Sequence, residues 1–598
     1  MEPSKSQVDI YVNLFELMLR CDPCGIASKK SLMMDTSTLR RRTHYEGLSF
    51  LTKTLPRLGK AFDLGLASTL FKLPLEFHSS HENTSIPAFM QDYFKRVFDA
   101  DGVLLDEVEP LIVKHIRQVL LFAYKLSLPF RKDQISSTIE GFISTDGELK
   151  LQPDESYSRI LEVASFITAD VFQDFDPKDI LPRHGPGAVA TGEKLDAKWN
   201  FSRRYDAIHQ MYPYYNYFVV GSAELLDRKE WYMNLERLDQ GRAKVVLVPK
   251  DSRGPRLISC EPLEYQWVQQ GLGRKIVQHL ESHWLTRGQI NFTLQSINRA
   301  LALSSSLDRS YATLDLKDAS DRVSLELVRA VFKRTPSLLR ALEATRTSST
   351  LLPDGRVVEF KKFAPMGSAL CFPTEAFIFW VLLVAAESVR QRAKQRVVGK
   401  SVFVYGDDII VPTNIASLCI QHLEAFDLKV NASKCCIQGP FRESCGMDAF
   451  NGVPVTPVRL RTPWSGRADV STYVSWIELA NALFAAGYAN VADSIWASLE
   501  GLYGKVPYGT SRASYPCRLV DSVELAEELN SRAFRRRHRR RYQQEEFLVP
   551  RLIPRRKKTT LDGWQRMLRN LMMPPFSDPS AIVIPRSMII NRGWTPTH

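Results

Sequence analysis

The chain has 598 residues, of which 44% are hydrophobic and 24% charged, and a formal net charge of +13. That length exceeds one ordinary hydrophobic core and predicts about two to four domains or subdomains, while the composition is that of a globular and not a disordered protein. The basic excess favours polyanionic partners, nucleic acid foremost, and says nothing about fold.

The start, MEPSKSQVDIYVNLFELM, has no basic segment followed by an apolar one, so no secretory signal is expected. Residues 1–180 carry apolar groups at helical spacing, as in IRQVLLFAYKLSLPF and YSRILEVASFITADVF. Cys21-Asp-Pro-Cys24 has no second pair or nearby histidine to complete a zinc site and reads as incidental thiols. Nine cysteines, an odd number without framework spacing, fit a reducing compartment. RHGPGAVATG (183–192) comes near a phosphate-binding loop, but Glu193 stands where the lysine should follow; it reads as a turn-forming segment.

Strand-like and helix-like segments alternate from about 240 to 460, the pattern of a mixed α/β body. KVVLVP, YATLDL, SVFVY and DIIVP read as strands, and SLELVRAVFKR and PTEAFIFWVLLVAAESVRQRAKQRVV as helices. Pro373 is tolerable near a helix start, where N–H groups lack intrahelical partners. The longest uncharged apolar run, Ala376 to Ala386, is shorter than the roughly 18 residues a membrane helix needs, so no membrane span is expected. In the tail, RAFRRRHRRRYQQEE (532–546) and PRRKK (554–558) form basic blocks. They read either as a solvated arm or as an RNA contact, on an arm or on the outer face of a helix.

Three carboxylates carry the chemistry. Asp315 ends an apolar strand in YATLDLKDASDR, and Asp407 and Asp408 stand together after Gly406 in SVFVYGDDIIVP. If the two strands are sheet neighbours, the three acids share one end of the sheet, where they repel one another when empty and suit divalent cations. Magnesium takes hard oxygen ligands and keeps waters and phosphates in its shell. Two such ions about 3.5–4 Å apart can activate a hydroxyl and stabilise a leaving pyrophosphate. An acidic pair of this kind also occurs in ordinary turns, so the neighbouring segments matter. KVVLVPKDSRGPRLISCEP strings Lys244, Lys250, Arg253 and Arg256 through a strand–turn–strand pattern suited to triphosphate. APMGSALCFPTEAF places Gly367, Ser368 and Ala369 before the apolar helix, small residues that permit close backbone approach.

Together these segments resemble the RNA-directed RNA polymerases, and among them the replicase catalytic subunit of the small positive-strand RNA bacteriophages, the leviviruses. VPKDSRGPRLISCEP is similar to the basic fingers motif, and YATLDLKDASD and VYGDDIIVP to the two metal-binding motifs. APMGSALCFPTEAFIFW resembles the template- and ribose-contacting motif. FDLKVNASKC resembles the segment bearing a leaving-group lysine, and GPFRESCG with VTPVRLR the hairpin supporting the priming end.

The resemblance implies a right hand of fingers, palm and thumb, the palm built on a small antiparallel sheet. Its implied divisions are a mostly helical region at 1–200, fingers at 201–310, palm at 311–460 and thumb with a basic C-terminal region at 461–598. It implies magnesium held by Asp315, Asp407 and Asp408, with manganese as a substitute. Lys250, Arg253 and Arg256 would bind NTP phosphates. Asp321, with Gly367 and Ser368 alongside, would recognise the ribose 2′-hydroxyl, and Lys434 would protonate pyrophosphate. Relatives commonly carry asparagine where Ser368 stands, and Lys317 and Asp318 replace small or neutral residues. The implied partners are single-stranded RNA, NTPs, host translation elongation factors and a host ribosomal protein, in the cytoplasm of an infected bacterial cell. Three other readings stand beside this one. A related viral polymerase of a eukaryotic host is one, against which the RESCG piece and the compact length favour a phage. A reverse transcriptase shares the aspartate pair but gains nothing from the polar Asp321 and Ser368. A noncatalytic RNA-binding or packaging protein explains the charge but not the acids.

Overall fold

The computed structural model describes residues 5–150, 155–251, 254–391, 401–561, 563–572 and 581–597. It shows a mixed α/β protein with small sheets. The elements that place the site begin with helices α1 (Lys5–Arg20), α2 (Leu55–Ser68), α3 (Pro110–Leu121), α4 (Lys132–Glu148) and α5 (Glu155–Val171). Strands β1 (Ala243–Asp251) and β2 (Gly254–Cys260) and helices α6 (Leu263–Ser282) and α7 (Ser296–Asp308) follow. Next come β3 (Tyr311–Asp315), α8 (Leu325–Phe332), β4 (Ser349–Leu351), β5 (Val357–Glu359), α9 (Cys371–Arg390), β6 (Phe403–Tyr405) and β7 (Asp408–Pro412). The last third supplies β8 (Phe441–Ser444), β9 (Met447–Phe450), α10 (Val470–Ala485), α11 (Ala489–Tyr503), β10 (Arg536–Arg539), β11 (Gln544–Lys558) and β12 (Ala581–Thr595).

The central sheet is small and antiparallel, in the order β3–β7–β6. Its strands are short apolar runs buried over their middle residues, Ala312–Leu314 and Ile409–Val411, as expected of strands covered on both faces. Helix α9 covers it. Pro373 falls in the first turn of α9, and the helix is apolar around most of its circumference, which marks a helix sunk in a core. Its 20 residues make it long and apolar enough to cross a membrane by length and composition, longer than the run of uncharged residues suggested; here it is buried inside the protein, against α5 and the central sheet. A second sheet, β2–β1–β4–β5, carries the long basic β1–β2 hairpin.

Two large cores hold the chain. One gathers α5, α6, α8, α9 and the central sheet. The other joins α1, α2 and α3 from the first quarter to β8, β9, α10 and α11 from the last third. A buried arginine locks that second core: Arg117 of α3 donates to Asp63 of α2 at 2.7 Å, to Asp448 of β9 at 2.8 Å and to the Val455 carbonyl. A charge so deeply buried persists only when its hydrogen bonds are met, and here they are.

The nine cysteines are all free thiols, among them Cys21 and Cys24. Burial, helped by Glu109 and Asp22, pushes the Cys24 thiol up to about 11, away from the thiolate that metal binding or redox chemistry needs. The arginine-rich segment is neither a loose arm nor a helix. It forms β10 and β11, which pair with each other and, through β11, with β12 in one antiparallel sheet. Arginine has little strand preference of its own. Phe547 and Val549 supply the drive, packing on Tyr515 and Cys517 beneath the sheet.

Candidate active site

The turn between β6 and β7 has two residues, Gly406 and Asp407, since Tyr405 and Asp408 are register partners. Gly406 has φ +62°, which suits a tight hairpin matching the strand twist. The ring of Phe372 lies over it, so a Cβ at this position would come within 2.1 Å of that ring. Glycine is therefore required twice, for conformation and for space.

Asp315, the last residue of β3, is the register partner of Asp408. Residues directly opposite in an antiparallel pair project from the same face, so both carboxylates stand on one side of the sheet. With Asp407 they line a cavity of ≈ 610 Å³ that also takes in Lys434. Each acid is held in place. Asp315 accepts from Asn431 Nδ2 at 2.8 Å and from Lys434 Nζ at 3.0 Å, and Asp408 accepts from the Cys445 backbone N–H at 3.1 Å.

The electrostatics follow from this crowding. Burial, then the neighbouring Asp407, pushes Asp408 up to about 6. Asp407 rises too, through the protein wall around it and the charge of Asp315, against the opposing pull of Lys434 and Arg256. Burial works against the charge of Lys434, but Asp315 and Glu443 outweigh it and hold its pKa above the ordinary lysine value. Behind the hairpin, burial and then Asp407 push Glu375 of α9 well above the ordinary carboxylate range.

Among the described residues, no three His, Cys, Asp or Glu side chains close into a ligand cage. The three aspartates instead present hard oxygens to an open cavity. That donor set fits magnesium, which uses few carboxylates per ion and completes its shell with water and phosphate. The far wall of the cavity is basic, with Lys125, Arg459 and Arg461, and α10 closes it with Trp476 and Glu478.

The remaining predicted residues fall into three groups. Arg256, exposed on β2, is close enough to lower the pKa of Asp407, whereas Lys250, exposed on β1, does not line the cavity. Arg253 lies outside the described residues. Asp321, Gly367 and Ser368 do not line the cavity either. The Asp321 carboxylate is taken by the fully buried ammonium of Lys362 at 2.9 Å. Gly367, at φ +122°, lets its backbone press against β2, where a Cβ would meet the Ser259 carbonyl oxygen at 2.2 Å. Ser368 is buried, and its hydroxyl accepts from the Leu370 N–H. The close approach expected of these small residues is thus between two protein segments.

Several site residues were not singled out from sequence. Asn431 and Glu443 sit inside segments already quoted for other reasons. Glu443 faces Asp448 across the β8–β9 hairpin, and burial, then Asp448, pushes it up to about 7. Lys362 gave no signal, because nothing local distinguishes a buried lysine from a surface one.

A family model described as "RNA replicase, beta-chain" matches residues 174–478. The chain is 37% identical over 36% of its length to the RNA-directed RNA polymerase subunit beta of Qbeta virus (strain MX1). It is 32% identical over 52% of its length to that of Enterobacteria phage SP, and 31% identical over 44% to the RNA-directed RNA polymerase beta chain of Escherichia phage MS2. These matches cover 35%, 50% and 51% of the relatives, so the chain spans at most about half the length of the curated relatives it matches. A solved structure titled "RdRp complex" aligns with 74% of this chain and 44% of its own at 11% identity and a TM-score of 0.42, a likeness too slight to build on.

Proposed function

Because the chain belongs to the RNA replicase beta-chain family, matched over 174–478, we propose that its acidic cleft is the active site of an RNA-directed RNA polymerase copying single-stranded RNA from NTPs. The observation that carries this reading is the register of Asp315 with Asp408, which sets both carboxylates on one face beside Asp407 and over an open cavity. On this reading the β3–β7–β6 sheet is the palm, the β1–β2 hairpin belongs to the fingers, and α10 with α11 forms part of the thumb.

Asp315, Asp407 and Asp408 would hold two magnesium ions, or manganese in their place. Such ions supply charge neutralisation at the attacking and leaving oxygens. The protein's own groups do the rest. Arg256, near enough to act on Asp407, and Lys250 on the same hairpin would neutralise the incoming triphosphate, since positioning and neutralisation account for most of phosphoryl-transfer catalysis. Lys434, kept protonated beside Asp315, is placed to donate a proton to departing pyrophosphate. Asp321, whose carboxylate Lys362 holds at 2.9 Å, would be the polar group that favours NTP over dNTP.

The test is incorporation of labelled NTPs on an RNA template with magnesium, with and without bacterial extract. Extract-dependent synthesis would identify host subunits as partners. Synthesis that disappears in Asp407→Ala supports the reading, and incorporation at the parental rate in that variant refutes it. Preferential use of dNTPs would replace it with a reverse transcriptase.

A further inference from the structure

The arginine-rich segment is a folded surface with an unusual share of the protein's charge. Residues 532–558 hold twelve arginines and lysines against two glutamates, a net +10 of the chain's +13. Without this stretch the chain would be nearly neutral, so the basic character that pointed to nucleic acid resides largely here.

The geometry does more than concentrate charge. Arg535, Arg536, Arg540 and Arg541 are exposed on and around the β10–β11 hairpin. Glu546 is shared by two of its neighbours, accepting from Arg537 at 2.5 Å and Arg539 at 3.1 Å, so one carboxylate answers two guanidinium groups. Tyr542, at the hairpin tip, is 55% exposed and flanked by Arg539 and Arg541, 4.6 and 5.6 Å from its ring. Arg537 lies 4.6 Å over the ring of Trp594 on the same sheet. Planar cations interleaved with aromatic rings make a platform for unpaired bases, because every base has a π face and a following phosphate. A double helix keeps its bases stacked inside and gains only the charge.

The platform is anchored next to the cleft. β12 packs against α10, the helix whose Trp476 and Glu478 line the cavity, and Thr559 and Thr560 just after β11 donate to Asp196 at 3.0 and 2.9 Å.

We propose that the β10–β11–β12 sheet is a binding surface for single-stranded RNA outside the catalytic cavity, with Tyr542 as a base-stacking platform and the surrounding arginines holding the backbone. This deepens the polymerase reading by giving the template or product strand a second site, but its test does not depend on that reading.

Binding of a 30-nucleotide single-stranded RNA and of a blunt RNA duplex is measured across a salt series, without NTPs or divalent cations. The full-length chain is compared with Arg535→Gln/Arg536→Gln/Arg540→Gln/Arg541→Gln, with Tyr542→Ala and with Tyr542→Phe. The quadruple variant should lose at least about tenfold in single-strand affinity, and its salt slope should fall by about 3, the counterions of four phosphate contacts. Tyr542→Ala should lose about fivefold or more on the single strand and little on the duplex, and Tyr542→Phe should keep parental binding. Parental affinity and slope in the quadruple variant would overturn the proposal, as would equal losses on both RNAs in Tyr542→Ala. Parental RNA binding in the quadruple variant with loss of binding to an acidic protein from host extract would reassign the surface to protein. Loss of RNA binding in these variants, with Asp407→Ala still incorporating nucleotides, would keep this surface while sinking the cleft assignment.

Discussion

The cleft and the C-terminal sheet use charge in opposite ways. In the cleft, few charges sit on a rigid buried sheet, each fixed by register or by a hydrogen bond, and crowded enough to shift one another. On the β10–β11–β12 sheet many charges of one sign stand in water, where each costs little and none is singly decisive. Burial makes a charge specific and expensive, whereas exposure makes it cheap and additive.

Four variants would break or sharpen that contrast. Asp407→Ala should lower nucleotide incorporation by about a thousandfold or more while RNA affinity, measured by filter binding, stays within about twofold. Lys362→Met would strip the half-buried Asp321 and the buried Asp146 of their cation, and chemical denaturation should show about 3 kcal/mol of lost stability.

Glu264 tests buried acid away from the cleft. Both its oxygens lack hydrogen-bond partners, and burial pushes it up to about 7. A carboxyl raised in this way contributes stability fully below about pH 4.5 and loses that contribution as pH rises through about 7. Glu264→Gln removes the ionisation, so its stability relative to the parent should increase by about 3 kcal/mol between pH 4.5 and 8, as read by urea melts along that series. Smallest of all, the quadruple arginine variant should melt within about 0.5 kcal/mol of the parent, since exposed charges contribute little to folding. A large loss there would mean the sheet is structural first.

The strands of the central sheet were legible because short apolar runs bounded by acids and glycine have few other solutions; β3, β6 and β7 fall where YATLDL, SVFVY and DIIVP predict them. The pairing of Asp315 with Asp408 was legible only as a condition, since sequence does not state which strands are neighbours. Partners distant along the chain stayed hidden. Nothing near Arg117 announces Asp448, and nothing near Lys362 announces Asp321. The local role of Ser368 was hidden too: a small polar residue beside a glycine gives no sign that its hydroxyl accepts from the Leu370 N–H. The arginine-rich segment showed its charge but not its form, because its strands are fixed by Phe547 and Val549 against residues that precede them by some thirty positions.

The packing of α1, α2 and α3 against β8, β9, α10 and α11 sets a schedule for biogenesis. A ribosome releases the opening helices long before it has made the segments they rest on. In the interval their apolar faces have no native cover, and nascent chains in that condition are prone to aggregate or to recruit chaperones. The wall of the cleft opposite the aspartates, built from residues 456–462 and α10, is completed only in the same late step. A chain interrupted before residue 441 would carry Asp315, Asp407 and Asp408 and still lack most of the residues that line their cavity.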